Sequence, residues 1–343
     1  MFSFEDTLRL YEYAFPPELI AQAPARPRDA ARLLIYRREE TQADWSVFRD
    51  IGSFLPKNAL LVLNETKVIP ARMHLVRATG GNVPALFLGH ALDCIRVLAN
   101  RRLRPGEFLS LQGAMGFTVE KSAGKEWLLR PNFKDLEEVL SRLGHMPLPP
   151  YIKHSPLTPE ELRREYQTVF ACASGSVAAP TASLHFTHAL LASLQASGIE
   201  LAYVTLHVHL GTFAPLEEEQ WRTASLHHEE YMIPDAARLS IERAKAAGRP
   251  VIAVGTTVVR TLESAADVRG KILRSSGTTD LFIREGYIFK MADGLITNFH
   301  VPKSSLLMLV SALVGRERLL ELYAQAIERR FRLFSFGDAM LVL

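Results

Sequence analysis

Histidines in three segments of small and polar residues are the first candidates for chemistry, because imidazole exchanges protons near neutral pH. They are His185, His207 and His300. His185 lies in residues 178–187, whose Ala, Pro, Thr and Ser side chains, including Thr181, leave room for a ligand. A helix is predicted to follow, and its free N–H groups would suit an anion. The alternative for His185 is a hydrogen-bonded histidine beside a helix cap.

The segment of residues 205–213 alternates Thr205, His207 and His209. Alternate side chains of a strand share one face of the sheet. Two histidines on one face can bind a metal ion or act as acid and base. They can equally be a hydrogen-bonded pair at the end of a sheet, and the spacing alone does not decide between these interpretations.

Polar residues at the ends of other strands are candidate ligand contacts. Thr256 and Thr257 follow an apolar strand and begin a helix that carries Arg260. This edge of an open α/β sheet is where ligands bind. The structural alternative for Arg260 is an ion pair with Glu263, three residues further on. Asp280 lies in a comparable Gly-Thr-Thr-Asp segment and is a further candidate.

Asn298 and Phe299 end another predicted strand, directly before His300. An amide and an aromatic ring in this position could hydrogen-bond to and stack on a heterocyclic base. Ser304 follows, and ordinary capping of the next helix is a sufficient account of its hydroxyl.

Missing motifs argue against several enzyme classes. The chain has no Gly-x-Gly-x-x-Gly, no Gly-x-x-x-x-Gly-Lys-Ser/Thr and no Gly-x-Ser-x-Gly sequence. The usual dinucleotide-binding, nucleotide triphosphatase and α/β-hydrolase interpretations therefore lose most of their support. Two cysteines, Cys94 and Cys172, are too few for a disulfide framework or a thiolate zinc site.

The elements that must position these residues fall into two patterns. From residue 68 to 130, short apolar segments separated by glycine turns predict a small all-β barrel. After residue 159, strands alternate with helices, which predicts a largely parallel sheet covered on both faces. We therefore expect a mixed α/β sandwich domain, formed by residues 1–67 and 147–343, with the barrel of residues 68–146 inserted into it.

Charge is concentrated in the barrel, although the whole chain carries a net charge of only +3. Residues 67–130 contain ten Lys and Arg residues against four Asp and Glu residues. Such a surplus suits a phosphate backbone, and a solvated sheet face is the alternative. The candidate nucleic-acid contacts are Lys67, Arg72, Arg101, Arg102 and Arg104.

Length and composition indicate a globular protein of about two domains, with 343 residues and 48% hydrophobic residues. The N-terminus lacks the basic and apolar regions of a signal peptide. The longest apolar stretch near the C-terminus, residues 306–314, is shorter than the ~20 residues that span a bilayer. We expect a cytoplasmic protein without membrane contact. The oligomeric state stays open, with a monomer favoured.

Seven segments in one order resemble the S-adenosylmethionine:tRNA ribosyltransferase-isomerase family of the queuosine pathway. The resemblance covers nearly the whole chain, and its strength lies in the order, since each motif alone is weak. The segments are residues 63–72, 147–152, 178–187, 205–213, 253–264, 297–310 and 337–341.

This resemblance implies an α/β domain with an inserted β-barrel. It also implies transfer of the ribosyl part of S-adenosylmethionine, the co-substrate, to 7-aminomethyl-7-deazaguanine at the tRNA wobble position. The products are epoxyqueuosine in tRNA, adenine and methionine, and no metal is expected. The sulfonium acidifies the neighbouring 5′ carbon, adenine leaves more readily when protonated, and the attacking amine must be neutral.

These requirements assign provisional roles. His185, His207 and His300 are the acid and base candidates, with Asp338 as their carboxylate partner. The candidates for holding the substrate are Thr181, Thr205, Thr256, Thr257, Arg260, Asp280, Asn298 and Phe299.

The chain departs from the family pattern at several positions. Glu65 and Lys67 replace an Asp and an Arg, and Ala31 replaces a Ser. Ser183 and His209 replace glycines, so each adds a side chain where backbone could approach a ligand. Two other functions stay open: a metal-dependent hydrolase that uses His207 and His209, and a non-catalytic tRNA-binding relative.

Overall fold

Strands supply most of the framework in the computed structural model, which describes residues 3–208 and 216–343. In chain order they are β1 (Arg32–Tyr36), β2 (Ala43–Val47), β3 (Leu60–Asn64), β4 (Thr66–Val68), β5 (Arg72–Arg77), β6 (Asn82–Ala91), β7 (Cys94–Ala99), β8 (Phe108–Gln112), β9 (Met115–Ala123), β10 (Glu126–Pro131), β11 (Ala173–Ser176), β12 (Glu200–Leu206), β13 (Ser225–Met232), β14 (Val251–Val254), β15 (Ser276–Leu281), β16 (Gly294–Asn298) and β17 (Ala339–Val342).

Helices connect many of these strands. They are α1 (Phe4–Leu10), α2 (Leu136–Leu143), α3 (Pro159–Glu165), α4 (His188–Ala196), α5 (Glu218–Thr223), α6 (Asp235–Ala246), α7 (Thr256–Ala265), α8 (Ser305–Val314) and α9 (Arg316–Glu328). Short 3₁₀ turns lie at Pro17–Leu19, Arg28–Ala30, Phe48–Ser53 and Thr181–His185.

A nine-stranded sheet, counted over the described residues, has the order β15-β13-β12-β3-β14-β16-β17-β1-β2. Its four central strands, β12, β3, β14 and β16, are parallel. The expectation of a largely parallel sheet is wrong outside these four strands: β13 and β15 pair antiparallel at one edge, and β17 runs antiparallel to β16 inside the sheet. A strand buried on both faces has the same apolar composition in either direction, so its sequence does not reveal its orientation.

Alternation along β3 assigns the two faces of the sheet. Leu60 and Val62 pack into one core with α6, α7, α8 and α9. Leu61 and Leu63 point the other way, into a second core that includes Phe48 and residues of α4. Both faces are therefore covered, and the central strands present only their ends to a ligand.

The barrel is closed by six antiparallel strands in the order β10-β7-β6-β5-β8-β9. Met73 and Leu75 of β5 are buried inside it, whereas His74 faces outward. Leu136 and Leu140 of α2 pack against the barrel core. The predicted combination of a mixed α/β fold with a small all-β barrel is confirmed.

A short parallel pair, β4 with β11, lies between the sheet and the barrel in the chain. β4 follows β3 after a single residue, and β11 precedes residues 178–187. The segment that follows β3 is therefore paired with the segment that leads into residues 178–187. None of the helices in residues 3–208 and 216–343 has the length and apolar character needed to cross a membrane.

Candidate functional site

A pocket opens at the carboxyl ends of β14 and β16, and we call it the strand-end pocket. It encloses about 580 Å³, including space open to solvent. Its wall consists of Tyr151, Ala179, Pro180, Thr181, Ala182, Val208, Gly255, Thr256, Thr257, Thr297, Asn298, Phe299, His300, Val301, Leu306, Phe334 and Ser335. Residues from five of the seven ordered segments meet in this wall.

Gly255 makes the turn from β14 into α7 at the base of this pocket. Its φ of +94° lies in a region that side-chain-bearing residues avoid. Its N–H donates to the carbonyl oxygen of Ile296 (2.8 Å), which ties the turn to β16. Thr256 and Thr257 begin the helix directly after it, and both are buried. The turn therefore carries two hydroxyl groups to the pocket wall.

Asn298 contributes an amide to the same wall. Its Nδ2 lies 3.3 Å from Nε2 of His185. Its Oδ1 has no hydrogen-bond partner among the described residues, although the residue is only 2% exposed. The His185 ring packs against Phe48 with 4.9 Å between ring centroids. His185 therefore lies behind Asn298 and is not part of the wall.

Burial, together with the positive charges of Arg332 and Arg28, lowers the pKa of His185 to about 3. The imidazole is therefore neutral at physiological pH. The N-terminus of α4 beside it was predicted to offer free N–H groups. Oγ1 of Thr187 instead caps this helix by accepting from the N–H of Leu190 (3.1 Å).

His300 is the histidine that lies in the pocket wall. Its Nε2 is 2.7 Å from Oγ1 of Thr297. Its backbone N–H donates to the Tyr323 hydroxyl (3.0 Å), and its carbonyl accepts from the Tyr13 hydroxyl. Burial lowers the pKa of His300 to about 3, so this ring also is neutral at physiological pH.

Phe299 is fully buried. Its ring packs against those of Tyr323 and Phe331, with centroids 5.0 and 5.7 Å away. The Phe299 ring therefore exposes no face on which a base could stack, contrary to the prediction.

Tyr151, Phe334 and Ser335 are wall residues that the sequence patterns did not identify. The Tyr151 and Phe334 rings lie 5.0 Å apart, and the Tyr151 hydroxyl is 2.6 Å from Oγ of Ser335. Phe334 has a φ of +70°, which is unusual for a bulky residue. Strained backbone of this kind concentrates at functional sites. The only local signal was the Pro149-Pro150-Tyr151 sequence.

Asp338 fastens the loop that carries Phe334 and is fully buried. Its carboxylate accepts from the backbone N–H groups of Arg32 (3.1 Å) and Arg332 (2.8 Å). It also accepts from Nε and Nη2 of Arg332, at 3.1 and 2.9 Å. A Cβ on Gly337 would lie 2.5 Å from the Arg332 carbonyl oxygen, so the loop requires glycine there. The structure places Asp338 in this clamp and not in the pocket wall.

A second cavity separates the barrel from the sheet, and we call it the barrel–sheet cleft. It encloses about 1470 Å³, including space open to solvent. Charged and titratable side chains line it from the barrel, from α2 and from the α/β part of the chain. They are Lys67, His90, Arg96, Glu137, His207 and Glu230. His207 lines this cleft, whereas its neighbour Val208 lines the strand-end pocket.

His207 is held at the edge of the cleft by Thr66, whose Oγ1 is 2.9 Å from Nδ1 of the ring. A Cβ on Gly175 would lie 3.0–3.2 Å from three ring atoms, so the bare glycine backbone packs against the imidazole. Burial lowers the pKa of His207, and the charge of Glu230 partly opposes that change.

Asn64 joins the two cavities and was not among the predicted site residues. Its Oδ1 accepts from the N–H groups of Thr66 and Leu206, both at 3.1 Å. Its Nδ2 donates to the Leu206 carbonyl (3.0 Å) and to Oγ1 of Thr257 (3.4 Å). One buried amide therefore positions the neighbour of His207 and a hydroxyl of the strand-end pocket.

Arg260 forms a buried ion pair with Glu229 of β13. Burial lowers the pKa of Arg260 to about 10. The alternative pairing with Glu263 is wrong, because that carboxylate accepts instead from the backbone N–H groups of Lys290, Met291 and Ala292 at 2.9, 2.9 and 3.1 Å. Arg260 is not part of the strand-end pocket wall.

Two other predicted substrate contacts also lie outside that wall. Thr205 is buried on β12, and its hydroxyl has no partner within residues 3–208 and 216–343. Asp280 of β15 is half-buried and accepts from Oγ of Ser225 (2.6 Å).

The predicted nucleic-acid contacts differ in accessibility. Lys67 is exposed in the barrel–sheet cleft. Arg101, Arg102 and Arg104 are exposed between β7 and β8 and form no ion pair with a described residue. Arg72 is half-buried, and its Nη2 donates to the Leu148 carbonyl (3.0 Å).

Three other arginines of the barrel are already paired. Arg77 lies 3.4 Å from Glu107, Arg96 lies 3.7 Å from Glu126, and Arg130 lies 3.0 Å from Glu120. Among the described residues, the exposed barrel cations without an ion pair therefore include the three arginines between β7 and β8 and Lys121 of β9.

Two departures from the family pattern replace a glycine, and the structure describes only one of them. Ser183 is fully buried behind the pocket wall, and its hydroxyl has no partner in the described part of the chain. His209 lies in residues 209–215, outside the described residues. Elsewhere in the described chain, no group of three or more His, Cys, Asp or Glu side chains is arranged to hold a metal ion.

Comparisons with known proteins agree over nearly the full length. The family described as "queuosine biosynthesis protein" matches residues 8–342. The S-adenosylmethionine:tRNA ribosyltransferase-isomerase of Gloeobacter violaceus is 46% identical over 340 residues, covering 97% of this chain and 95% of that protein. The enzyme of the same name from Moorella thermoacetica is 46% identical over 342 residues, covering 97% and 98%.

A solved structure supports the same assignment. The crystal structure of S-adenosylmethionine tRNA ribosyltransferase from Thermotoga maritima is 31% identical to this chain. It superimposes with a TM-score of 0.57 and covers 97% of this chain and 100% of that one. This chain, with its inserted barrel and strand-end pocket, belongs to the queuosine biosynthesis protein family.

Proposed function

We propose that this protein transfers and isomerises the ribosyl part of S-adenosylmethionine onto 7-aminomethyl-7-deazaguanine at the wobble position of tRNA. Relatives at 46% identity carry the name of that enzyme. The observation that carries the proposal is convergence: residues 178–187, 253–264 and 297–310 are far apart in sequence but meet in one pocket wall. The products are epoxyqueuosine in tRNA, adenine and methionine.

We assign the two substrates to the two cavities. The strand-end pocket takes S-adenosylmethionine, because hydroxyl and amide groups of Thr256, Thr257 and Asn298 converge there. The barrel–sheet cleft takes the modified nucleotide, because it is the larger cavity and is lined by the cations Lys67 and Arg96. His207 and Val208 are adjacent on the chain and line one cavity each, so the reacting groups can meet between them.

The site residues then divide into two groups. His207 and His300 are the proposed acid–base residues, since their rings line the cavities and burial keeps both rings neutral at physiological pH. His185 and Asp338 support the wall from behind, through Asn298 and through the Phe334 loop. Thr181 remains a proposed wall contact.

Activation comes from the substrate itself in this scheme. The sulfonium carries the positive charge that makes the neighbouring carbon acidic and methionine a good leaving group, so we propose a reaction without a metal ion. Because the relatives are named ribosyltransferase-isomerases, a hydrolase that uses His207 and His209 is not favoured. We also propose that the protein acts in the cytoplasm, as a monomer on its tRNA substrate.

Adenine release tests this function. The protein is incubated with S-adenosylmethionine and tRNA that carries 7-aminomethyl-7-deazaguanine, and free adenine is measured by chromatography. The matched control is the same tRNA with guanine at the wobble position. We expect adenine in proportion to the modified tRNA and none with the control. Binding of tRNA without adenine release would contradict the proposal and identify a non-catalytic relative.

A further inference from the structure

The hydroxyl of Thr66 is the hydrogen-bond partner of the His207 ring. Thr66 is fully buried on β4, and its Oγ1 donates to the carbonyl oxygen of Ala173 (3.4 Å). The same oxygen is 2.9 Å from Nδ1 of His207. A hydroxyl has one proton to donate and lone pairs to accept with. When the hydroxyl donates its one proton to Ala173, it can only accept from His207, and this arrangement requires the hydrogen on Nδ1.

The other nitrogen of the ring is then a free acceptor. A neutral imidazole has one N–H and one lone pair, so Nε2 of His207 carries the lone pair. Within residues 3–208 and 216–343, Nε2 makes no hydrogen bond. Gly175 covers one face of the ring, so the imidazole cannot turn toward that side. The backbone N–H of His207 donates to the Glu230 carbonyl (2.9 Å), which anchors the residue to β13.

Charged groups reach the barrel–sheet cleft from each element around this nitrogen. Lys67 comes from β4 and Glu230 from β13. His90 and Arg96 come from the barrel, and Glu137 comes from α2. Burial lowers the pKa of His207, and the charge of Glu230 partly opposes that change. A proton accepted at Nε2 would therefore be stabilised by a carboxylate of the same cavity.

We propose that Thr66 is a positioning residue that holds His207 in the Nδ1-protonated form, so that Nε2 accepts a proton from a primary ammonium group entering the barrel–sheet cleft. The proposal deepens the proposed function and rests on its transfer to an amine. One N–H bond of the ammonium breaks and an Nε2–H bond forms. The electron pair of the broken bond stays on the amine nitrogen, which becomes the neutral nucleophile. The positive charge passes to the imidazolium beside Glu230.

The tautomer can be measured without any substrate. In protein labelled with ¹⁵N-histidine at pH 7.5, His207 is assigned by comparison with His207→Gln. We expect a protonated, pyrrole-type Nδ1 and an unprotonated, pyridine-type Nε2. In Thr66→Val, which removes the hydroxyl but keeps the shape, we expect the two nitrogens to share the proton. A protonated Nε2 in the unaltered protein, or no change in Thr66→Val, would overturn the proposal even if the proposed reaction proves correct.

Kinetics test the consequence of this orientation. In Thr66→Val we expect kcat for adenine release to fall about tenfold, the equivalent of one lost hydrogen bond, with KM for tRNA unchanged. Thr66→Ser keeps the hydroxyl and should recover most of the loss. The matched control is Thr7→Val, which removes a buried hydroxyl that donates to the Ser3 carbonyl (2.9 Å) and lines neither cavity.

The outcomes separate the two claims. Equal kcat in Thr66→Val and Thr66→Ser would remove the positioning role. A change in KM alone would point to a structural effect on tRNA binding and would also contradict it. If the unaltered protein releases no adenine, the proposed function fails, and the tautomer measurement still decides whether Thr66 orients His207.

Discussion

Three histidines lie in different environments, and the difference separates the roles that we propose for them. They are His185, His207 and His300. His300 is in the strand-end pocket wall and His207 is in the barrel–sheet cleft. His185 is enclosed behind Asn298, whose amide it contacts. Proton transfer requires access to the reacting atoms. The environment therefore favours His207 and His300 as acid–base residues and His185 as a support for Asn298.

Burial of His185 makes stability depend on pH. Its pKa of about 3 in the folded protein is below the ordinary value of 6.5, so the unfolded chain binds more protons between these values. Stability is therefore complete above about pH 6.5 and falls as the pH decreases toward 3. At pH 5 the loss from this one group is about 2 kcal/mol. Urea unfolding at pH 7 and pH 5 measures it.

A pair of variants isolates that contribution. In His185→Gln the loss of stability between pH 7 and pH 5 should shrink by about 2 kcal/mol relative to the unaltered protein. His188→Gln, at an exposed position of α4, is the matched control and should keep the full difference. An unchanged difference in His185→Gln would show that His185 is not buried in its neutral form.

Predictability at the residue scale depended on local pattern. Thr256, Asn298 and His300 follow apolar strands, and the structure places all three in one wall. Asn64 and Thr66 act through hydrogen bonds to residues 142 and 141 positions away. Periodicity within one segment carries no information about such contacts, so these two residues could not be identified as site residues.

The loop between α9 and β17 is the element that shapes the aromatic side of the pocket. It contributes Phe334 and Ser335 to the wall, and hydrogen bonds to Asp338 hold it in place. The carboxylate satisfies N–H groups of both β1 and the loop, and it pairs with Arg332. The position of the wall thus depends on a buried clamp that does not touch the pocket.

Replacement of this clamp should cost stability. Asp338→Asn removes a buried charge that faces Arg332, and the free energy of unfolding should fall by about 3 kcal/mol. Asp44→Asn removes a surface partner of Arg37 at 2.8 Å and should cost less than about 1 kcal/mol. Urea denaturation of both variants gives the comparison. Equal effects would mean that Asp338 does not hold the loop.

Helix positions could be predicted better than strand directions. Ser304 does cap α8, since its Oγ accepts from the N–H of Leu307 (3.2 Å), and Pro159 begins α3 as expected from its fixed backbone angle. These signals are local. The orientation of β17 depends on which strands it lies between, and its four buried residues, 339–342, carry no sign of that.

At the scale of the whole molecule, the barrel adds exposed arginines and one wall of the cleft to the α/β part of the chain. Sequence alone indicated the barrel and its charge, because glycine turns and basic residues are local features. The cleft itself could not be predicted, since it exists only where Lys67 and His207 of the α/β part face Arg96 of the barrel.

The exposed arginines of the barrel should govern affinity for tRNA. Replacing Arg101, Arg102 and Arg104 with Ala should weaken tRNA binding at least about tenfold at physiological salt. The slope of log affinity against log salt concentration should fall by up to about three. Affinity for S-adenosylmethionine should stay unchanged, as measured by calorimetry.

The control is a triple replacement at other exposed cations. Arg269, Lys271 and Arg274 lie between α7 and β15, away from the barrel. Their replacement with Ala should leave the salt slope for tRNA nearly unchanged. If the two triple variants weaken tRNA binding equally, the barrel surface is not the nucleic-acid interface.

The fate of labelled S-adenosylmethionine tests ribosyl transfer most directly. The reaction is run twice with precursor tRNA, once with label in the ribose carbons and once with label in the methyl group. We predict that the ribose label enters tRNA in a one-to-one ratio with released adenine, while the methyl label leaves with methionine. Methyl label in tRNA, or ribose label that never reaches it, would contradict the assignment of this chain as a ribosyltransferase-isomerase.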